Sequence, residues 1–235
     1  MDSVPRSPNH LLASLSAADF ELFRPHLETV ALVQEDALVA AGDRQTRVFF
    51  PHSGVISLVV SLADGAMVEV AMIGRDGIFG ASAALDGDIS LTDAIVQLPG
   101  FASTLPVGRL RTAAEQSTSF RTILIRHEQA LFAQAQQSAA CNASHAIEAR
   151  LARWLLRLHD LSEAVTLPLT QDFLAQMIGV KRNSVSTVAH ILQEHGIIKY
   201  ARGHIEITDL EALKKASCEC YDAVNAQYHR LLNEI

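Results

Sequence analysis

Leu169-Thr170-Gln171-Asp172-Phe173-Leu174-Ala175-Gln176-Met177-Ile178-Gly179-Val180-Lys181-Arg182-Asn183-Ser184-Val185 decides how this chain is read. Thr170 offers the hydroxyl of a good N-cap, and Asp172 falls in the first turn, where the helix dipole favours a carboxylate. The pattern predicts a short helix over 171–178, broken at Gly179. A second follows over about 182–195 and ends at Gly196. Two short helices joined around a glycine form a helix-turn-helix. Ala175 is the small residue where the helices cross, and Gly179 supplies the turn four residues later. Val185 and Val188 are the apolar contacts of the second helix. Phe173, Leu174, Ile178, Ile191 and Leu192 fill the remaining core. Ile197 to Tyr200 and Ile205 to Ile207 flank Ala201-Arg202-Gly203-His204, which reads as a β-hairpin, or wing.

The exposed start of the second helix carries Lys181, Arg182, Asn183 and Ser184, then Ser186 and Thr187. Arginine can pair bidentately with guanine and asparagine with adenine, while serine and threonine bond bases or phosphates. A helix N-terminus itself favours phosphate. Thr170 and Gln171, at the start of the first helix, join the DNA-contacting set. Lys199 and Arg202 on the wing, with Tyr200 and His204, are placed to touch the DNA backbone.

Upstream, Ile147, Leu151, Leu155 and Leu158 form the stripe of a helix that Ser144 can cap, running to about Leu161. Trp154 lies beside the stripe, and Arg150, Arg153 and Arg157 are expected on the other faces. A strand-like piece, 164–169, follows. Before these, 119–142 reads as a long helix. Phe120, Leu124, Leu131, Ala135 and Ala139 fall on one side of it. The stripe turns to small residues that let two helices approach closely, so a homodimer seam is expected there. The other reading packs this helix on its own domain. A short helix is expected over 106–115.

The first half reads as β. Val48 to Phe50, Gly54 to Leu62, Met67 to Ile73 and Ala94 to Leu98 are short apolar runs punctuated by glycines. Asp64-Gly65 between two such runs is a hairpin signal. Closely spaced short strands suggest a barrel or jelly roll. A short helix opening at Ser16 precedes it. A metal-dependent roll enzyme would want several histidines and a carboxylate at one mouth. Only His52 lies in the roll, and Gly74 to Gly77 lacks the Lys-Ser/Thr ending of a phosphate loop. No catalytic residue is expected.

The 235 residues allow one large or two small domains with a sizeable core. No apolar run approaches the roughly 18 residues of a membrane-spanning helix. Met1 to His10 lacks a signal pattern, so a cytoplasmic protein with no membrane partner is expected. The formal net charge is −7, which argues against a polycation that coats nucleic acid. The charge is unevenly spread. Residues 1–143 carry −6, residues 144–210 are neutral, and residues 211–235 carry −1. The three cysteines make no disulfide framework, and Cys218-Glu219-Cys220 alone is a poor zinc ligand set. No metal and no cofactor is expected, and the cysteines read as small apolar residues.

Roll, long helix and winged helix, in that order, resemble the Crp/Fnr family of bacterial transcription regulators. The resemblance covers nearly the whole chain and is most specific at 169–185; Ala216 to Tyr221 also looks like a subgroup of that family. It implies an α+β chain in three parts. Residues 1–117 would form a jelly-roll-like β-roll sensor domain, 118–143 a dimerisation helix, and 144–235 a winged helix-turn-helix. It further implies a homodimer on a near-palindromic double-stranded operator, with recognition helices in major grooves about 34 Å apart. RNA polymerase is a further partner that the resemblance admits.

Many members bind cyclic nucleotides through a cassette that begins Gly-Glu and reaches Arg-Ser or Arg-Thr eleven residues after the glycine. Aligned from Gly80, the glutamate place holds Ala81 and the arginine place Leu91, followed by Thr92. The counter-charge for a cyclic phosphate is missing from the cassette, with Arg75 and Arg109 as substitutes outside it. Weak or absent cAMP binding is therefore expected, and the effector is unassigned. The N-terminal iron–sulfur centre of another branch is also not expected, because no cysteine precedes Cys141. A second reading keeps the roll as a ligand or redox sensor and gives the winged helix a protein partner.

Overall fold

The expected hairpin forms around Asp64-Gly65. Leu62 donates its amide to the Ala66 carbonyl, the Asp64 carboxylate accepts from the Ala66 amide, and Gly65 adopts φ +85°. An L side chain resists that left-handed conformation, so glycine is the natural residue there. The structure is a computed structural model describing residues 7–233. Residues 1–6, with most of the stretch read for a signal, and residues 234–235 lie outside it.

Helices α1 (His10–Ser14) and α2 (Ala17–Glu21) open the described chain, capped by the side chains of Asn9 and Ser16. Seven strands then build the roll: β1 (Glu28–Leu32), β2 (Ala37–Val39), β3 (Arg47–Pro51), β4 (Val55–Ser61), β5 (Met67–Ile73), β6 (Asp93–Leu98) and β7 (Gly100–Pro106). They pair antiparallel in two sheets, ordered β1-β7-β3 and β2-β6-β4-β5. The four apolar runs are β3, β4, β5 and β6. The central strand β7 carries Ser103 and Thr104 and so shows no continuous apolar run. Thr104 is buried because its hydroxyl donates to the Val48 carbonyl.

Helix α3 (Ala81–Ala84) follows Gly80, and α4 (Val107–Gln116) starts after Pro106. Helix α5 (Thr118–Ser144) spans 27 residues, with the Ser117 hydroxyl as its N-cap. Phe120 and Leu124 are wholly buried in a core with Phe23, Phe50 and Leu110. Phe120 stacks on Phe23 at 5.1 Å between ring centroids. Leu131 joins the other roll core with Ile56 and Ile73. These three members of the expected seam are thus occupied within their own chain. Ala135 is half-buried and Ala139 exposed. The free face of α5 is a different one: Ile125, Gln129, Phe132, Gln136 and Ala139, spaced alternately four and three apart.

Helix α6 (Ile147–Ser162) begins after Ala146, not at Ser144, which is the last residue of α5. His145 and Ala146 form the joint. Leu151, Trp154, Leu155 and Leu158 are buried as expected, but so are Arg150 and Arg157. Burial of these arginines is compensated. Arg150 donates to the Ile178 carbonyl. Arg157 donates to Asp76 at 2.7 Å and lies 4.6 Å from the Tyr228 ring centre.

The C-terminal half continues with β8 (Thr166–Pro168), α7 (Gln171–Met177), α8 (Arg182–Glu194), β9 (Ile198–Ala201), β10 (His204–Ile207), α9 (Leu210–Ala216) and α10 (Cys220–Tyr228). β10 is the middle strand of a small sheet, β8-β10-β9. One core joins this half to the outside of the roll, with Val55, Val59 and Met72 packed among Trp154, Leu174 and Leu192. The indole N–H of Trp154 donates to buried Glu69 at 2.9 Å across that contact. Helix α10 turns back onto α5, where Val224 and Tyr228 pack on Ala130.

Candidate nucleic-acid interface and the roll cavity

The helix-turn-helix forms as its spacing predicts. The Thr170 hydroxyl accepts from the Phe173 amide at 3.2 Å and caps α7. Gly179 takes φ +63°, and the Val180 amide closes the turn on the Ala175 carbonyl at 2.9 Å. A Cβ on Gly179 would stand 3.0 Å from the Val68 side chain, so the turn sits against β5. Leu174, Ala175, Ile178, Val185, Val188 and Leu192 are buried between the helices. Phe173 and Ile191 are only half-buried. Burying each leucine or valine contributes roughly 1.5–3 kcal/mol, enough to hold so short a helical pair on α6.

This packing leaves Lys181, Arg182, Asn183 and Thr187 exposed, with Ser184 and Ser186 half-buried. Lys181 caps α8 without a side-chain hydrogen bond, so no side chain of its own blocks the positive end of the helix. Arg182 pairs with Asp172 at 3.1 Å, both about equally open to solvent at 63% exposure. An exposed pair of this kind contributes about 0–1 kcal/mol and exchanges readily for another anion. Ser186 donates to the Gln171 side chain at 2.5 Å, which joins the two helices and ties Gln171 to the second one. Thr187 donates to the Asn183 carbonyl at 3.0 Å.

The wing turns on Arg202 and Gly203, at φ +52° and +77°. Two left-handed residues suit the two-residue hairpin, whose backbone twist matches its strands. Arg202 therefore stands exposed at the tip. Lys199 is exposed on β9, 3.9 Å from Glu206. All ten residues expected to contact DNA thus lie on α7 or its N-cap, on α8, on the turn between them or on the wing.

The roll encloses a cavity of about 500 Å³, lined by three of the four cassette positions, Gly80, Leu91 and Thr92, together with Leu58, Phe79, Ser82, Leu131 and Phe132. Ala81 itself is wholly buried at the start of α3 and does not line it. Leu91 is 90% exposed at the rim. Asp86, Asp88 and Glu128 also line the cavity, but no arginine or lysine does. Two of these carboxylates are paired with arginines outside the lining, Asp88 with Arg44 at 3.2 Å and Asp86 with Arg111 at 3.5 Å. Glu128 accepts from the Ser82 amide, and burial raises its carboxyl above the usual range. The two substitute arginines lie elsewhere. Arg75 pairs with Glu163 at 2.5 Å, and Arg109 is exposed on α4. His52 bonds Ser103 at 2.8 Å in the roll wall, as an ordinary structural histidine does.

Cys218 and Cys220 are buried, as apolar residues would be. Their spacing did not reveal that Cys141 and His145, at the end of α5, close on them. That proximity is created by α9 packing on α6 while α10 packs on α5.

Known proteins match in both halves. The family model for the cyclic nucleotide-binding domain covers residues 29–117, and that for the Crp-like helix-turn-helix domain covers residues 149–216. No curated protein matches the chain. Among solved structures, FixK2 from Bradyrhizobium japonicum superposes with a TM-score of 0.70 at 15% identity, covering 82% of this chain and 98% of that one. A Crp/Fnr-family transcriptional regulator from Eubacterium rectale gives 0.67 at 16% identity over 88% and 96%. The c-di-GMP responsive global regulator CLP of Xanthomonas campestris gives 0.64 at 17% identity over 82% and 99%. At these identities the structures share the fold. The latter two are described as regulators. With a cyclic-nucleotide-binding-like roll and a Crp-like helix-turn-helix in that order on one such fold, the chain belongs to the Crp/Fnr family of transcriptional regulators.

Proposed function

We propose that the protein is a homodimeric, sequence-reading DNA regulator whose roll responds to something other than cAMP. The observation that carries the DNA reading is the start of α8. It combines an uncapped helix N-terminus with exposed Lys181, Arg182 and Asn183, and the Arg202 wing tip lies on the same half. Asn183 and Arg182 would read base edges, whereas Lys181, Lys199 and Arg202 would hold phosphates. Thr170, Gln171, Ser184, Ser186 and Thr187 would complete the contact surface.

The dimer seam we assign to the free face of α5. Phe132 is 65% exposed and Ile125 41%, both large apolar groups on a heptad-like stripe with Gln129, Gln136 and Ala139. Of the originally expected set, only Ala139 lies fully on that face. Phe132 also lines the cavity, so an effector there would bear directly on the seam. The cavity chemistry favours a neutral or cationic, largely apolar small molecule. A cyclic phosphate would meet three carboxylates and no free lining cation.

Selection from random duplex DNA tests the function, with the same protein titrated with cAMP by calorimetry at low salt. Enrichment of a near-palindromic site and no heat from cAMP are expected. Failure to enrich any sequence would favour the alternative, a sensor whose winged helix binds a protein. Tight cAMP binding would overturn the cavity reading.

A further inference from the structure

Cys141, His145, Cys218 and Cys220 each offer one ligand atom, and all four atoms lie within 4.8 Å of one another. They come from two short segments: Cys141 in the last turn of α5 with His145 at its C-cap, and Cys218 just before α10 with Cys220 as its first residue. The Cys141 and Cys218 sulfurs are 3.5 Å apart, and Nδ1 of His145 is 3.5 Å from the Cys220 sulfur. A tetrahedral zinc ion with bonds of roughly 2.3 Å to sulfur and 2.0 Å to nitrogen has ligand edges of roughly 3.5–3.8 Å. We propose that these four residues form a closed Cys3His site for one zinc-class divalent cation per protomer.

The surroundings fit that occupant. All three cysteines are buried, and the His145 side chain is only 25% exposed, leaving no open position for substrate. Nε2 of His145 lies 3.1 Å from the Glu219 carboxylate, the outer partner that orients a metal-binding imidazole toward the ion through its other nitrogen. Gln137 donates to the Cys220 sulfur at 3.0 Å. Three thiolates and a dication leave one net negative charge. Arg150 and Arg153 lie within electrostatic reach of Cys141, and the Nε of each has no hydrogen-bond partner among the described residues. Three sulfurs and one nitrogen select zinc over magnesium or calcium, which want oxygen. The close grouping of all four atoms, within 4.8 Å of one another, also disfavours an iron–sulfur cluster, whose ligands are spread over several irons. On binding, the three S–H groups release their protons to solvent.

Placed there, the cation would tie the end of α5 to the α9–α10 joint, beside the His145-Ala146 joint that leads into α6. Arg150, which faces the thiols, also donates to Ile178 at the end of α7. Its site is therefore linked to the recognition element by one side chain.

The full-length protein, purified reduced and without added chelator, would be assayed for bound metal, then stripped and titrated with Co2+. One cation per protomer is expected, with the visible bands of tetrahedral thiolate-bound cobalt and displacement by Zn2+. Cys218→Ser/Cys220→Ser should abolish the bands, whereas Ser217→Ala should keep them. Glu219→Gln, which keeps all four ligands, should weaken cobalt binding about 10-fold. Wild-type protein that gives no thiolate–cobalt bands would overturn the site without recourse to any variant. Undiminished bands in the double variant, or iron with acid-labile sulfide instead of zinc, would also overturn it.

Discussion

At the roll cavity two lining carboxylates hold arginines, Asp88 holding Arg44 and Asp86 holding Arg111. On the recognition helix, Lys181 stands exposed and Arg182 is paired only with Asp172, itself as open as the arginine. The two regions belong to one chain with a net charge of −7. The difference teaches that placement, not total charge, decides which anions this protein can accept. A phosphate approaching α8 has a dipole and exchangeable bases before it. A phosphate entering the roll meets Asp86, Asp88 and Glu128 instead.

The comparison breaks most visibly at the helix between the regions. Ile125→Asp with Phe132→Asp should split the dimer in sedimentation and lower operator affinity by about 10²–10⁴-fold through lost avidity. An unchanged dimer would move the seam elsewhere and separate the reading head from the cavity wall. Next comes the reading surface itself. Arg182→Ala should cost about 1–3 kcal/mol of operator binding and relax preference at one base pair. Competition against single-position operator variants would measure it, and an unaltered preference would remove Arg182 from the readout.

The contact between the regions gives a pH test. Burial pushes the Glu69 carboxyl up to about 8 from its ordinary 4.5, against hydrogen bonds from Ser57 and Trp154 that pull it down. The folded chain thus keeps a proton that the unfolded chain releases. The favourable contribution is complete below the ordinary value and is lost as pH rises toward the folded value, on the order of a few kcal/mol. Glu69→Gln preserves an acceptor for Trp154 and should flatten that loss in denaturant midpoints measured at about pH 6 and about pH 9. Equal slopes for both proteins would remove Glu69 from the pH dependence. The smallest effect is expected at the wing. Lys199→Ala should weaken all sequences alike and lower the salt slope by about one. A change in base preference instead would make Lys199 a reader.

The reading head was legible because its signals are local. Thr170, Ala175, Gly179 and Val185 each serve neighbours within one or two turns, so spacing alone fixes their roles. The two faces of α5 were not. Phe120, Leu124 and Leu131 look like a seam in projection, but the roll takes them, and the roll's position is set by strands far off in sequence. Arg150 and Arg157 read as surface charges because their compensating partners, Ile178 and Asp76, are distant along the chain. Strand β7 went unmarked because its buried threonine is satisfied by Val48 across the sheet.

By itself, then, the sequence determined the order of roll, long helix and winged helix, the residues presented at the start of α8, and the missing counter-charge at Ala81 and Leu91. Those follow from periodicity, capping and side-chain chemistry over short spans. Only the tertiary structure decided which face of α5 stays free, that the reading head packs on β4 and β5, and that Cys141 and His145 meet Cys218 and Cys220. Each of these depends on segments far apart in the chain being brought together, and burial and ligand geometry exist only after that closure.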